Sequence, residues 1–169
     1  AAATAATLPE KTVAATISQN NETGDESRTF WYILRGKTGS IQTTLNSGVY
    51  LSQKNLSPLY VCSRYAGDSS PCTEDEYLQY YLNYVDEPAQ EPGLDELARR
   101  IKSRTAVRDD QARIAISLVQ KIPYDYDTLN AISTTNGTRY PYEVLYENTG
   151  VCEEKSLLLA YLLRELGYG

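Results

Sequence analysis

The sequence predicts an α+β fold in which a small strand-bearing region precedes a helical half with a cysteine at the start of a buried helix. Three observations lead to this expectation. Residues 157–163 (LLLAYLL) form an unbroken apolar run, too short to span a bilayer and too apolar for an exposed helix face. Short β-branched and aromatic runs separated by turns occur in the first part of the chain. Helical spacing of apolar residues begins only after Thr73.

The chain before Thr73 is predicted to contain an arm and a strand-rich accessory region. Residues 1–27 are rich in Ala, Thr, Ser and Asn and have little apolar periodicity, so we expect a poorly ordered arm or a short helix. Residues 28–72 form the accessory region, in which we expect Trp31 to lie in the core. Extended segments are expected there at 29–34, 41–45, 49–51 and 59–62.

Three helices are predicted before the apolar run. The first starts at Thr73, which has capping-box spacing to Glu76, and its tyrosine stripe is more typical of packing than of a ligand site. The segment EPAQEPG ends this helix. A second helix covers residues 94–102. A third opens at residues 109–110 and ends near Pro123, because proline disfavours helix in the residue before it.

Cys152 is predicted to lie at the N-terminus of the apolar helix. Thr149 is the expected N-cap, residues 153–154 place acidic side chains in the first turn, and Gly167 has the position of a left-handed C-cap. Unpaired backbone N–H groups and the helix dipole favour a thiolate there, although the adjacent glutamates oppose it. Position alone leaves a small structural cysteine as the alternative.

The segment from Tyr140 to Gly169 closely resembles the transglutaminase-like superfamily of papain-like thiol enzymes. The resemblance lies in Tyr-Pro-Tyr-Glu, then GVCEEKS, then a leucine-rich helix that ends Leu-Gly-Tyr. The segment IAISLVQKIPYD, residues 114–125, is similar to the helix and strand that usually precede this motif. The resemblance covers roughly residues 107–169. It implies a papain/transglutaminase-like helical half in residues 73–169, with Cys152 as the nucleophile.

The same resemblance implies partners for the thiol that this chain lacks. In the superfamily a His and then an Asp follow on downstream strands and complete a Cys-His-Asp triad, whereas this chain contains no histidine. We therefore expect a core that is truncated before those residues and is inactive, or nearly so, by itself. Tyr140 and Tyr142 either border the substrate cleft or pack beneath it. Without the downstream strands, we expect the helix at 157–163 to self-associate, to swap domains or to be covered by the N-terminal strands.

The remaining cysteines predict a small disulfide. Cys62 and Cys72 flank a loop rich in Gly, Ser and Pro, which leaves Cys152 as the odd cysteine. Two reduced, buried cysteines are the alternative, which a cytosolic location would favour. The scarcity of Phe beside 15 Tyr residues and the presence of sequons point instead to an extracellular or cell-surface protein.

Charge and composition exclude several classes of partner. The net charge of −6, without basic clusters, argues against nucleic acid and anionic membranes as partners, and no segment is suited to membrane insertion. The alternating segment YDYD, residues 124–127, is more typical of a solvated edge strand or turn than of a metal site. We expect no cofactor.

Two hypotheses on function follow. The first is a transglutaminase-like thiol hydrolase or acyltransferase that acts on a protein or peptide amide through an acyl-enzyme. The alternative is a non-catalytic secreted or cell-surface binding module on the same scaffold, which is compatible with the absent histidine and the tyrosine-rich composition. A histidine further along the natural polypeptide would distinguish the two.

Overall fold

A computed structural model describes residues 24–57, 59, 71–127 and 138–168. Within these ranges the fold is mixed α+β, which confirms the predicted class, and it contains a two-stranded antiparallel sheet and a layer of helices. A 3-10 turn at Pro88–Gln90 precedes the helix Glu91–Lys102. The elements are β1 (Asp25–Leu34), β2 (Lys37–Asn46), α1 (Ser47–Lys54), α2 (Glu74–Val85), α3 (Glu91–Lys102), α4 (Arg108–Lys121), α5 (Pro141–Glu147) and α6 (Cys152–Glu165).

The two strands form a hairpin that pairs along its whole length, from Asp25 opposite Asn46 to Leu34 opposite Lys37. The turn between them has positive φ angles of 50° and 77° at its two central residues, as the twist of a tight hairpin requires. One face of the hairpin packs on α3 and α4 through the buried side chains of Phe30, Ile41 and Leu45.

Trp31 lies at the surface of the hairpin, although it was expected in the core. It is 56% exposed, so the prediction that it lies in the core is wrong. Successive side chains of a strand point to opposite faces, and the core takes Phe30, which is only 3% exposed. Trp31 instead borders a surface groove of about 380 Å³ together with Ile33 and Leu118.

Helix α1 replaces a predicted strand. Residues 49–51 were expected to be extended, but they lie within Ser47–Lys54. The Asn46 side chain caps this helix by accepting the backbone N–H groups of Gly48 at 2.8 Å and Val49 at 3.2 Å. A cap of this kind satisfies N–H groups that have no partner within the helix, and it outweighs the weak strand preference of the sequence.

The helices predicted in the middle of the chain are present. Thr73 and Glu76 form the expected capping box, with distances of 2.7 Å and 3.2 Å between backbone N–H groups and side chains. The second helix starts earlier than predicted, at Glu91, because a proline is tolerated in the first turn. The third ends at Lys121, just before Ile122-Pro123, as predicted.

Helix α6 is the central element of the helical layer. Its buried apolar residues are Leu157, Leu158, Tyr161 and Leu162, and it packs against α2, α3, α4 and α5. The helices therefore supply most of the cover that was expected from the N-terminal strands, because the hairpin packs chiefly on α3 and α4. Self-association through this helix stays a prediction.

The end of α6 confirms the predicted glycine cap. Gly167 has a φ of +86°, its N–H donates to the Arg164 carbonyl at 2.8 Å, and the N–H of Tyr168 donates to the Leu163 carbonyl at 2.9 Å. This pair of hydrogen bonds is the Schellman arrangement, which satisfies carbonyls in the last turn.

Candidate functional site around Cys152

Cys152 is the first residue of α6, and it is a free, exposed thiol. The N-cap is Val151, whose backbone N–H donates to the Glu154 carboxylate at 2.9 Å. The prediction that Thr149 caps the helix is wrong, because its hydroxyl donates to the Pro123 carbonyl at 3.4 Å. The predicted position of the cysteine is correct. Its thiol lies at the positive end of the dipole of a helix that is anchored in the core.

The approach to Cys152 is fixed by a short pairing with the segment after α4. The Gly150 N–H donates to the Pro123 carbonyl at 3.2 Å, and the Asp125 N–H donates to the Gly150 carbonyl at 3.3 Å. A Cβ at Gly150 would lie 3.1 Å from Val144 Cγ1 and 3.3 Å from Lys155 Cγ. The close approach explains the glycine before the cysteine, and it brings Tyr124 beside the start of α6.

The thiol opens onto a cavity of about 310 Å³ between α4 and α6. One wall is contributed by α4 and is largely apolar, and the other is the first two turns of α6. The lining residues are Ile116, Val119, Gln120, Tyr124, Cys152, Lys155, Ser156 and Leu159. A cavity with apolar walls and a few polar groups around a thiol is suited to holding a small part of a larger substrate.

Tyr124 lines the same cavity as the Cys152 thiol. Desolvation, and after it the neighbouring Cys152 thiol, raise the pKa of Tyr124. The phenol is therefore neutral near pH 7. The sequence did not single out this residue, because its place in the cavity depends on the pairing of Tyr124 with Gly150.

Lys155 brings a cation to the wall of the cavity, one helical turn after Cys152. Its ammonium group donates to the Ile122 carbonyl at 2.7 Å. Burial lowers the pKa of Lys155. The lysine is held at the C-terminal end of α4, where it adds positive charge near the thiol without a direct ion pair to it.

An ion cluster centred on Arg139 lies behind the thiol. The guanidinium reaches Asp125 Oδ2 at 2.8 Å, Glu147 Oε2 at 2.6 Å and Glu154 Oε2 at 2.8 Å. Burial alone would lower the pKa of Arg139, but the hydrogen bonds to these carboxylates raise it above its ordinary value. This cluster was not predictable from the sequence, since its members are distributed over 30 residues without a common spacing.

The acidic residues after the cysteine have partners. Glu154 is 2% exposed and binds Arg139, while Glu153 accepts the Thr138 hydroxyl at 3.2 Å. The sequence suggested that these two carboxylates oppose a thiolate. Because Arg139 compensates the charge of Glu154, that opposition is smaller than the sequence alone indicates.

Tyr140 and Tyr142 do not line the Cys152 cavity. Tyr140 is 7% exposed and packs against Tyr84, with ring centroids 4.8 Å apart. Tyr142 is 2% exposed, and its hydroxyl accepts the Asn46 backbone N–H at 2.6 Å. Both side chains therefore pack in the core, and neither borders this cavity.

The residues of the YDYD segment lie in two different environments. Tyr126 is 69% exposed, as expected of a solvated turn, whereas Tyr124 and Asp125 belong to the site. Among the described residues, no group of three or more potential ligands is placed to hold a metal ion.

Cys72 is disulfide-bonded. Cys62 lies outside the described residues, so its pairing with Cys72 stays a prediction. Cys152 is free, as expected of the odd cysteine.

Comparison with known proteins gives no match: no family model, curated protein or solved structure is significantly similar to this chain. In the part of the chain that the structure describes, no helix combines the length and apolarity needed to cross a membrane.

Proposed function

We propose that this chain carries the nucleophile of a transglutaminase-like thiol hydrolase or acyltransferase, with Cys152 as the residue that attacks a protein or peptide amide. The observation that carries the proposal is the setting of the thiol. It is exposed at the first residue of a helix anchored in the core, and it opens onto a cavity of about 310 Å³. The resemblance of residues 140–169 to that superfamily supports the same role.

The chemical step follows from this setting. The Cys152 thiolate forms a bond to the carbonyl carbon, and the electron pair of the C=O bond moves to oxygen. The backbone N–H of Cys152, at the start of α6, is the donor for that oxygen. Collapse of the intermediate re-forms the C=O bond, breaks the C–N bond and leaves a thioester, and the departing amine takes up the proton that the thiol lost on ionisation. Attack by water on the thioester completes hydrolysis, and attack by a second amine completes acyl transfer.

Among the residues that the structure describes, none that lines the Cys152 cavity is a base suited to this reaction. Tyr124 is neutral near pH 7, Lys155 is hydrogen-bonded to a carbonyl, and the chain contains no histidine. The resemblance implies that a histidine and an aspartate complete the site. We therefore expect this chain alone to turn over amides slowly or not at all.

An activated aryl ester tests the nucleophile without the base. The leaving group of p-nitrophenyl acetate needs no proton, so acetylation of Cys152 reports only the thiolate and its oxyanion donors. We expect acetylation roughly tenfold faster than for glutathione at the same pH, because a helix N-terminus favours the thiolate. The Cys152→Ala variant and the urea-unfolded chain are the controls.

Two results would change this conclusion. A rate equal to that of glutathione would count against a nucleophilic role and favour the binding module. If this chain turned over an amide and Cys152→Ala abolished that activity, the general base for the thiol would lie within this chain. The C-terminal peptides of the natural polypeptide, read by mass spectrometry, would show directly whether a histidine follows Gly169.

A further inference from the structure

Arg139 joins three segments that meet behind Cys152. Its side chain is 13% exposed and binds carboxylates that belong to different elements. Asp125 directly follows Tyr124, Glu147 ends α5, and Glu154 lies in the first turn of α6. One guanidinium therefore contacts both segments from which the Tyr124–Cys152 pair is built.

A single nitrogen of Arg139 links the two sides of the site. Nη2 donates to Asp125 Oδ2 and to Glu154 Oε2, each at 2.8 Å. The same Oε2 atom of Glu154 accepts the backbone N–H of Val151 at 2.9 Å. A continuous path of short hydrogen bonds thus runs from the neighbour of Tyr124 to the neighbour of Cys152.

We propose that Arg139 is a positioning residue of the Cys152 site: by binding Asp125 and Glu154 at once, it holds the segment of Tyr124 against the start of α6 and so places the Tyr124 hydroxyl beside the Cys152 thiol. The inference rests on the proposed function, since it concerns the geometry of the proposed nucleophile. Arg139 itself does not line the Cys152 cavity, and it acts through the two segments that it joins.

The shape of the guanidinium matters as much as its charge. Its Nε and Nη2 form a fork on the two Glu154 oxygens, at 3.0 Å and 2.8 Å, while Nη1 reaches Glu147 at 2.6 Å. A lysine keeps one positive charge but lacks this planar set of donors, so it cannot satisfy three separated carboxylates together. Arg139→Lys therefore preserves the charge and removes the bridge.

A double-mutant cycle on the reactivity of the thiol tests the proposal. The rate of alkylation of Cys152 by iodoacetamide is measured from pH 6 to pH 10 for the unsubstituted chain, Tyr124→Phe, Arg139→Lys and the double variant. Mass spectrometry of the peptide that contains Cys152 follows the reaction. Circular dichroism establishes that each variant is folded.

Each variant in the double-mutant cycle has an expected alkylation rate. Tyr124→Phe removes the hydroxyl that is proposed to stabilise the thiolate, so we expect roughly tenfold slower alkylation near pH 7 and a profile shifted to higher pH. Arg139→Lys is expected to give the same shift. Because both changes remove one contact, the double variant is expected to show no further loss.

Arg164→Lys is the matched control. Arg164 lies on the same helix and pairs with Asp86 at the surface, far along α6 from the thiol. We expect the pH profile of alkylation in Arg164→Lys to match that of the unsubstituted chain. We also expect Tyr124→Phe to slow alkylation as much in the Arg164→Lys background as it does by itself.

Several results would overturn the proposal. These are an unshifted profile in Arg139→Lys, a full effect of Tyr124→Phe in the Arg139→Lys background, or no effect of Tyr124→Phe at all. If Arg139→Lys does not fold, Asp125→Asn takes its place in the cycle with the same expectation, because it weakens the link on the Tyr124 side alone.

Failure of the proposed function is recognised separately. It would appear as an unsubstituted thiol no more reactive than glutathione toward the aryl ester. The double-mutant cycle compares the alkylation rates of the variants with one another, so it still tests the role of Arg139 in that case.

Discussion

The Gln90 side chain accepts the backbone N–H of Tyr142 at 3.2 Å and donates to the Tyr84 carbonyl at 2.6 Å. Gln90 is completely buried, so these bonds are made in a region without solvent to replace them. The first joins the 3-10 turn to the start of α5, and the second joins it to the end of α2. A single amide therefore connects the middle of the chain to the helix that leads toward Cys152.

Replacing Gln90 is expected to destabilise the protein strongly. Gln90→Ala leaves the Tyr142 N–H and the Tyr84 carbonyl buried without partners, for a loss of roughly 2–4 kcal/mol in the free energy of unfolding. Urea denaturation measures the loss. Gln79→Ala is the control, because Gln79 is exposed and bonds only to Asn83 on its own helix. Equal losses in the two variants would contradict the role given to Gln90.

Two neighbouring aromatic residues of β1 are expected to respond very differently to truncation. Phe30→Ala removes a ring that is 3% exposed and should cost about 3–5 kcal/mol, whereas Trp31→Ala removes one that is 56% exposed and should cost at most about 1 kcal/mol. Because Trp31 is the sole tryptophan, its fluorescence gives a second measurement. We expect the emission of a solvated indole and ready quenching by iodide. A blue-shifted, protected emission would contradict the exposure of this ring.

The helical half was predictable because its signals are repeated. The run at 157–163 and the capping pair Thr73 and Glu76 each rest on several residues that agree, so the positions of α2 and α6 followed from the sequence. The predictions for the hairpin region, in contrast, each depended on a single residue. The Asn46 cap favours a helix where the sequence resembles a short strand. The face of the strand on which Trp31 lies depends on the strand register, which the sequence did not specify.

The candidate site was predictable only at Cys152. Cys152 was found from local signals, namely a glycine before it and an apolar helix after it. Tyr124 pairs with Gly150, and Arg139 binds Asp125 and Glu154. These partners lie 14 to 26 positions away along the chain, and such contacts leave no periodic trace. Tyr140 and Tyr142 were candidates for the cleft because they are aromatic and close in sequence to the cysteine, yet the fold uses both in the core.

Gly167 is expected to resist substitution because of its backbone conformation. Gly167→Ala places a side chain at a φ of +86° and should cost about 1 kcal/mol of stability. Thermal unfolding followed by circular dichroism measures the change. Gly24→Ala is the control, since its φ is not positive and a Cβ there meets nothing within 4 Å. A Gly167→Ala variant as stable as the unsubstituted chain would mean that the Schellman cap is dispensable.

Two glutamates on α5 are expected to give pH effects of opposite sign. Burial raises the pKa of Glu143 above its usual 4.5, although the Tyr140 backbone N–H partly offsets this. The charged form is therefore disfavoured in the folded state. We expect Glu143→Gln to stabilise the protein at neutral pH, and the gain to disappear as the pH falls through the raised pKa toward 4.5.

Glu147 is the matched case on the same helix. Its burial acts to raise the pKa, but hydrogen bonds from Lys54, Tyr50 and Arg139 prevail and hold the pKa below 4.5. The stability that it contributes is complete above pH 4.5 and is lost as the pH falls through the lowered value. Glu147→Gln should therefore cost about 1–3 kcal/mol at pH 7 and progressively less in acid. Unfolding free energies of both variants between pH 3 and pH 8 test the pair. Changes of the same sign would mean that a general effect on the helix, and not the ionisation of each carboxyl, controls the result.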